Sequence, residues 1–147
     1  MREYYEASAV ESGISLTTAV AIEPVIAALD RPLIQRAVGN LVANAVAHTP
    51  PGGTVVLGAN ADVAAIRIEV SDTGVGIPAE ALPRVFDRFY RVDTSRSQTS
   101  GGTGLGLAIV QSIMGLHGGR AEITSQPGEG TRVTLHIPIA GTPGEIN

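Results

Sequence analysis

Residues 101–110 read GGTGLGLAIV. Four glycines fall in the six positions from Gly101 to Gly106, and an uncharged apolar segment follows at once. Ordering a glycine costs more backbone entropy than ordering any other residue, so such a cluster at the mouth of a helix needs a physical reason. No register gives the G-x-G-x-x-G spacing and no strand leads into it, so this is not a dinucleotide fingerprint. Nor is it a Walker-type loop. That loop depends on a lysine after its glycines, and all ten basic residues of this chain are arginine. What remains is a loop that opens a helix. The first helical turn carries unpaired N–H groups and a partial positive charge, which attract phosphate, and glycine lets the backbone come close to a bulky anion. The alternative reading is a flexible linker ahead of a core helix.

Working outward, helical spacing runs from Leu105 through Ala108, Ile109, Ser112, Ile113 and Leu116, closed by Gly118 and Gly119. Upstream, Asp93–Gly104 holds no large apolar residue, which predicts a mobile loop. Downstream, RAEITSQ (120–126) and TRVTLHIP (131–138) read as strands joined by the tight turn PGEG, with Val133, Leu135 and Ile137 facing one way. AGTPGEIN (140–147) reads as a tail. Toward the N-terminus, AIRIEVSD (65–72) alternates as a half-buried strand, preceded by a strand near Thr54–Asn60. A helix starts at Asp30 as N-cap with Pro32 in its first turn. Its apolar stripe is Ile34, Val38, Leu41, Val42 and Ala45, and TPPGG stops it. ISLTTAVA (14–21) predicts a strand, VIAAL (25–29) a second, and Pro78 a short helix after it. REYYEASAVESG (2–13) reads as a short helical or irregular lead-in. Mixed elements with an antiparallel hairpin predict an α+β fold: a two-layer α/β sandwich, its mixed, mostly antiparallel sheet carrying the helices on one face.

The chain's 147 residues suffice for one domain with a real core. Apolar residues make up 44% and charged residues 16%, with a net charge of −4. That balance is globular, and it argues against nucleic acid or an anionic membrane as the main partner. Without cysteine there is no disulfide framework and no thiolate metal site. No apolar run approaches the roughly 20 residues of a membrane span.

Three further stretches carry chemistry. DTGVGIP (72–78) ends the IRIEV strand with a carboxylate and a glycine turn, an arrangement suited to a ligand edge with donors, such as an exocyclic amine; the alternative is an ordinary Asp-Thr-Gly turn. In GNLVANAVAH (39–48), Asn40 and Asn44 lie one helical turn apart. Each amide offers an oxygen to a hard cation and an N–H to phosphate, unless both simply pack or face solvent. RVFDRFYRVD (84–93) holds both phenylalanines, Phe86 and Phe89, beside Tyr90, interleaved with Arg84, Arg88 and Arg91. It reads as an aromatic plug that delivers a guanidinium to phosphate, or as a satellite core with a solvated arginine face, the reading favoured for Arg84.

Taken in order, NLVANA, DTGVGIP, VFDRFYRVD, GGTGLGLAIV and GEGTRVTLHIP resemble the five successive boxes of the ATP-binding domain of bacterial sensor histidine kinases. The match runs from about Asp30 to Pro138. FDRFYRVD is similar to the membrane sensors that pair with winged-helix response regulators. The resemblance implies the Bergerat-type sandwich shared with gyrase, MutL and heat-shock chaperone ATPases, within residues 1–139, with an ATP lid at about 93–104. It implies ATP and Mg²⁺ as cofactors. By analogy Asn44 holds Mg²⁺, and Asn40 sits beside metal and phosphates. Asp72 accepts from the adenine amine, and Gly74, Gly76 and Ile77 form the adenine wall. Gly102, Gly104 and Gly106, with Thr103, Leu105 and Leu107, supply N–H groups to phosphate. Thr131 closes the adenine end, and Arg91 reaches the γ-phosphate. Many relatives carry a basic residue where this chain has Ala47, so one phosphate or ribose contact is missing or supplied by His48.

The superfamily's ATPases have a water-activating glutamate where this chain has Asn40, and asparagine cannot act as a general base. Bound ATP is therefore expected to await a histidine on a separate helical phosphoacceptor domain. None of His48, His117 and His136 stands in a phosphoacceptor setting. The expectation is the catalytic half of a longer cytoplasmic kinase portion of a membrane sensor, monomeric alone, homodimeric as the parent, and serving a response regulator. A serine kinase of the anti-sigma type and a regulatory nucleotide-binding module are the alternatives.

Overall fold

The computed structural model describes residues 9–11, 13–20, 29–61, 64–87 and 106–139. Within them lie five strands, two whole α-helices and a helical stretch at 9–11. β1 (Ser15–Val20) is followed by α1 (Arg31–Ala47), β2 (Thr54–Ala61), β3 (Ala65–Asp72), a 3₁₀ turn (Leu82–Arg84), α2 (Gly106–Leu116), β4 (Arg120–Gln126) and β5 (Gly130–Pro138). The sheet order is β1-β2-β3-β5-β4. β1 runs parallel to β2, and every other pairing is antiparallel.

Helix α1 starts where its sequence says it should. The Asp30 carboxylate accepts from Leu33 N–H at 3.1 Å, satisfying one donor the first turn leaves over, and proline occupies the same turn. The stripe from Ile34 to Ala45 is buried. In β5 the two-residue period sends Val133, Leu135 and Ile137 inward, while Arg132 stays outside and pairs with Glu69 of β3 at 3.6 Å. Met114 and Val110 of α2, Val42 of α1, and Val55, Leu135 and Ile137 of the sheet are the largest fully buried side chains. The core is thus one layer between the helices and one sheet face. The other face carries Arg67, Glu69, Arg120, Glu122, Arg132 and His136.

The stripe of α2 differs from the expected one. Val110, Ile113 and Met114 are buried, whereas Ser112 is exposed and Leu116 is 74% exposed. Met114, which the uncharged sequence does not separate from its apolar neighbours, lies at the centre because α2 must face both α1 and the sheet. β2 reaches one residue beyond Asn60, and the segment after Pro78 forms a 3₁₀ turn. Of VIAAL, Leu29 is not in a strand and residues 25–28 lie outside the described residues. So do the loop 93–104 and the tail 140–147. Among the described residues no helix is long and apolar enough to cross a membrane.

The helices are antiparallel, and α2 is joined to α1 at both of its ends. Asn40 Nδ2 donates to the Gly106 carbonyl at 3.4 Å. At the far end Asp30 N–H donates to His117 Nε2 at 3.1 Å. Because Nε2 accepts, the ring proton sits on Nδ1 and is donated to the Ile113 carbonyl at 2.9 Å.

Candidate functional site

Three neighbouring strands end their inward-facing series with a polar residue at the same end of the sheet. β3 runs Ile66, Ile68, Val70 and then Asp72, and β4 runs Ala121, Ile123 and then Ser125. Read backwards, β5 runs Ile137, Leu135, Val133 and then Thr131. Thr131 is the direct cross-strand partner of both Asp72 and Ser125. The three therefore form one half-buried row, which β2 continues with the fully buried Val55 opposite Asp72. The row is apolar on one side and polar on the other, at the rim of the core.

Backbone amides hold Asp72 in place. Its Oδ1 accepts from Gly74 N–H at 2.8 Å, closing an Asx-type turn, and from Thr131 N–H at 3.2 Å. Burial pushes its carboxyl above the ordinary value of 3.8, while these two amides and the charge of His48 pull it back. Ser125 Oγ accepts from Ile77 N–H at 2.7 Å, lies 2.9 Å from Thr131 Oγ1, and donates to the Gly130 carbonyl at 2.9 Å. The DTGVGI segment is thus tied to the β4–β5 hairpin.

The glycines here answer to packing. A Cβ on Gly74 would collide with the carbonyl of His48 at the end of α1, and one on Gly76 with the carbonyl of Gln126. Gly130, at φ +119°, sits against the Asp72 carbonyl with no room for a side chain. The adenine-wall reading of Gly74 and Gly76 is therefore not needed to explain why they are glycine. Gly106 differs: among the described residues nothing would meet a Cβ there.

Along α1, Asn40, Asn44 and His48 recur at four-residue intervals on one flank. Asn40 reaches Gly106, and the His48 carbonyl accepts from Val75 N–H at 3.2 Å. The line therefore joins the start of α2 to the turn after Asp72, across eight residues or about 12 Å of helix. The exposed Asn44 carboxamide has no hydrogen-bond partner among the described residues. Its carbonyl takes the His48 backbone N–H at 3.1 Å, and His48 Nδ1 lies 2.8 Å from the same oxygen. Ala47 and His48 are exposed, Ile77 and Leu107 half-buried. Arg84 pairs with Asp87 at 3.7 Å on the surface. Arg91, Gly102, Thr103, Gly104 and Leu105 lie outside the described residues, as do Arg88, Phe89 and Tyr90.

Ser125 and Gly130 belong to this site and were not singled out in the sequence. The signal was there for Ser125: a polar residue at an inward position of an otherwise apolar series. Gly130 was hidden in a turn that glycine explains equally well.

A model of the histidine kinase-, DNA gyrase B- and HSP90-like ATPase family matches residues 29–141. The chain belongs to that family of ATP-binding domains. It is 46% identical over 109 residues to the sensor-like histidine kinase SenX3 of Mycolicibacterium smegmatis, covering 74% of this chain and 28% of that one. The sensor histidine kinase CusS of Escherichia coli is 40% identical over 139 residues, 95% of this chain and 28% of that protein. Among solved structures, the mycobacterial sensor histidine kinase MprB superposes with a TM-score of 0.75 at 31% identity, covering 93% of this chain and 95% of that one. Full-length ShkA in complex with AMPPNP superposes at 0.80 and 31% identity, covering 96% of this chain and 29% of that one. The fold is that of histidine kinase catalytic domains. The chain spans about a quarter of the length of the curated sensor kinases it matches.

Proposed function

We propose that this chain binds Mg-ATP and donates the γ-phosphoryl group to a histidine on a separate helical phosphoacceptor domain, as the catalytic part of a two-component sensor kinase. The observation that carries the reading is the geometry joining Asp72 to Gly106 through the Asn40–Asn44–His48 flank, in a chain whose relatives are sensor kinases. Asp72 takes the adenine amine. Its fixed Oδ1 leaves the rest of the carboxylate for a donor. The α2 N-terminus, with Gly102, Thr103, Gly104, Leu105, Gly106 and Leu107, receives the phosphates. Thr131 and Ile77 bound the base, and Arg91 steadies charge on the γ-phosphoryl oxygens.

The donor set fits Mg²⁺ bound mainly through phosphate. No group of three His, Cys, Asp or Glu is placed to hold a metal among the described residues. Among the described residues the carboxamide of Asn44 is a free oxygen donor on the α1 flank, with Asn40 one turn away. Mg²⁺ typically keeps water and substrate phosphates in its shell and takes few protein ligands. When bound it neutralises charge on the β- and γ-oxygens. Asn40 orients without accepting a proton, so water is not activated and the triphosphate is preserved for the histidine. The parent protein then works as a homodimer beside the cytoplasmic face of a membrane and passes the phosphoryl group to a response regulator.

The test is titration with ADP and AMPPNP, with and without Mg²⁺, followed by addition of a helical domain carrying a phosphoacceptor histidine. Binding, negligible hydrolysis and transfer in trans are expected. Rapid ATP hydrolysis by the chain alone, or no nucleotide binding, overturns the reading.

A further inference from the structure

The polar row at the rim of the core has a direction. Ser125 owns a single hydroxyl proton. The Gly130 carbonyl, 2.9 Å away, can only accept, and Ile77 N–H, at 2.7 Å, can only donate. The Ser125 proton therefore goes to Gly130. The third neighbour, Thr131 Oγ1 at 2.9 Å, must then be the donor in its contact with Ser125. Thr131 has spent its only proton inside the protein. What it has left to offer is a lone pair.

Asp72, its neighbour across β3 and β5, also presents only acceptors when ionised, with Oδ1 already taking two amides. From these bonds we infer that Ser125 is a specificity-determining positioning residue: it locks the Thr131 hydroxyl as an acceptor, so that the row admits a purine bearing an exocyclic amine and rejects a 6-oxo purine. The inference rests on the base-binding reading of Asp72 above. A 6-oxo group would set lone pairs against the lone pairs of Asp72 and Thr131. A free threonine hydroxyl could rotate to relieve half of that mismatch by donating. Ser125 removes this freedom, and the same atom anchors Ile77, so the base wall and the hydroxyl polarity are set together.

Calorimetric Kd values for ADP and inosine diphosphate test this in the 147-residue chain, in Ser125→Ala, in Thr131→Val and in the double variant. The unaltered chain is expected to favour ADP. Ser125→Ala should narrow the ADP-to-IDP ratio by about tenfold, the worth of one hydrogen bond, and Ser125→Thr should retain it. The narrowing should vanish in the Thr131→Val background, because there is no hydroxyl left to reorient. A general loss of fit would lower both affinities and leave the ratio alone. An unchanged ratio in Ser125→Ala, with ADP still bound, overturns the inference and leaves the base-binding reading standing. Should Ser125→Ala fail to fold, Thr131→Val decides, since an unchanged ratio there means the hydroxyl does not read the base. Absence of ADP binding to the unaltered chain defeats the reading itself.

Discussion

The two ends of the candidate site are built by opposite means. At the Asp72 end, that residue is gripped by two backbone amides, Ser125 by three partners, and Gly74, Gly76 and Gly130 by backbone that leaves no room for a Cβ. At the other end, Asn40 makes one long bond of 3.4 Å, Asn44 has no partner among the described residues, and a Cβ at Gly106 would touch nothing described. The Asp72 end is preformed because folding itself requires it. The Gly106 end keeps groups that folding does not use, and the exposed Asn44 carboxamide is left to solvent.

Gly130→Ala should break this contrast most severely. It forces a side chain into the Asp72 carbonyl at a left-handed φ, and overpacking plus backbone strain together amount to about 2–6 kcal/mol. Urea melts should show the loss, with base recognition falling alongside.

The next two variants sharpen the comparison as a pair. Asn44→Ala should weaken Mg-ATP by about 10–150-fold, the worth of a contact to a charged group, and leave metal-free ADP unaffected. Asp72→Asn should weaken ADP by a similar factor with or without Mg²⁺. It should also raise stability at neutral pH. The folded carboxyl holds its proton more tightly than the unfolded one, so the native state is favoured below about 3.8 and loses ground as pH rises through the raised value. An asparagine oxygen keeps both amide bonds and escapes that loss. Thermal melts at pH 7 beside calorimetry check both signs. A metal-independent effect of Asn44→Ala would erase the distinction between the ends.

Gly106→Ala should change stability least, by up to about 1 kcal/mol and upward, because alanine is the better helix former. If triphosphate affinity nonetheless falls, glycine serves a ligand there; if both are unchanged, it serves neither.

Much of this was readable in advance where a period governs. The α1 stripe, its Asp30 cap and the alternating strands follow from 3.6- and 2-residue repeats, and the order of motifs led to the family. The stripe of α2 was not readable, because an almost wholly apolar segment contains no polar face to mark its rotation. Ser125 eluded the reading for a different reason. Its meaning lies in Thr131 and Asp72 standing beside it in one row, and that neighbourhood depends on sheet order, which local patterning does not specify.

The imidazole of His117 has a mechanical consequence. From Asp30 to Asn40 is ten residues along α1 and its cap, and from Gly106 to His117 is eleven along α2 and the residue after it, about 15 and 16.5 Å. Two rungs that far apart fix the sliding register of the pair, as pegs at both ends hold a ruler against a straightedge. A push on either rung is shared by the whole plank, so residues around Asp30 help keep the carboxamides of α1 in line.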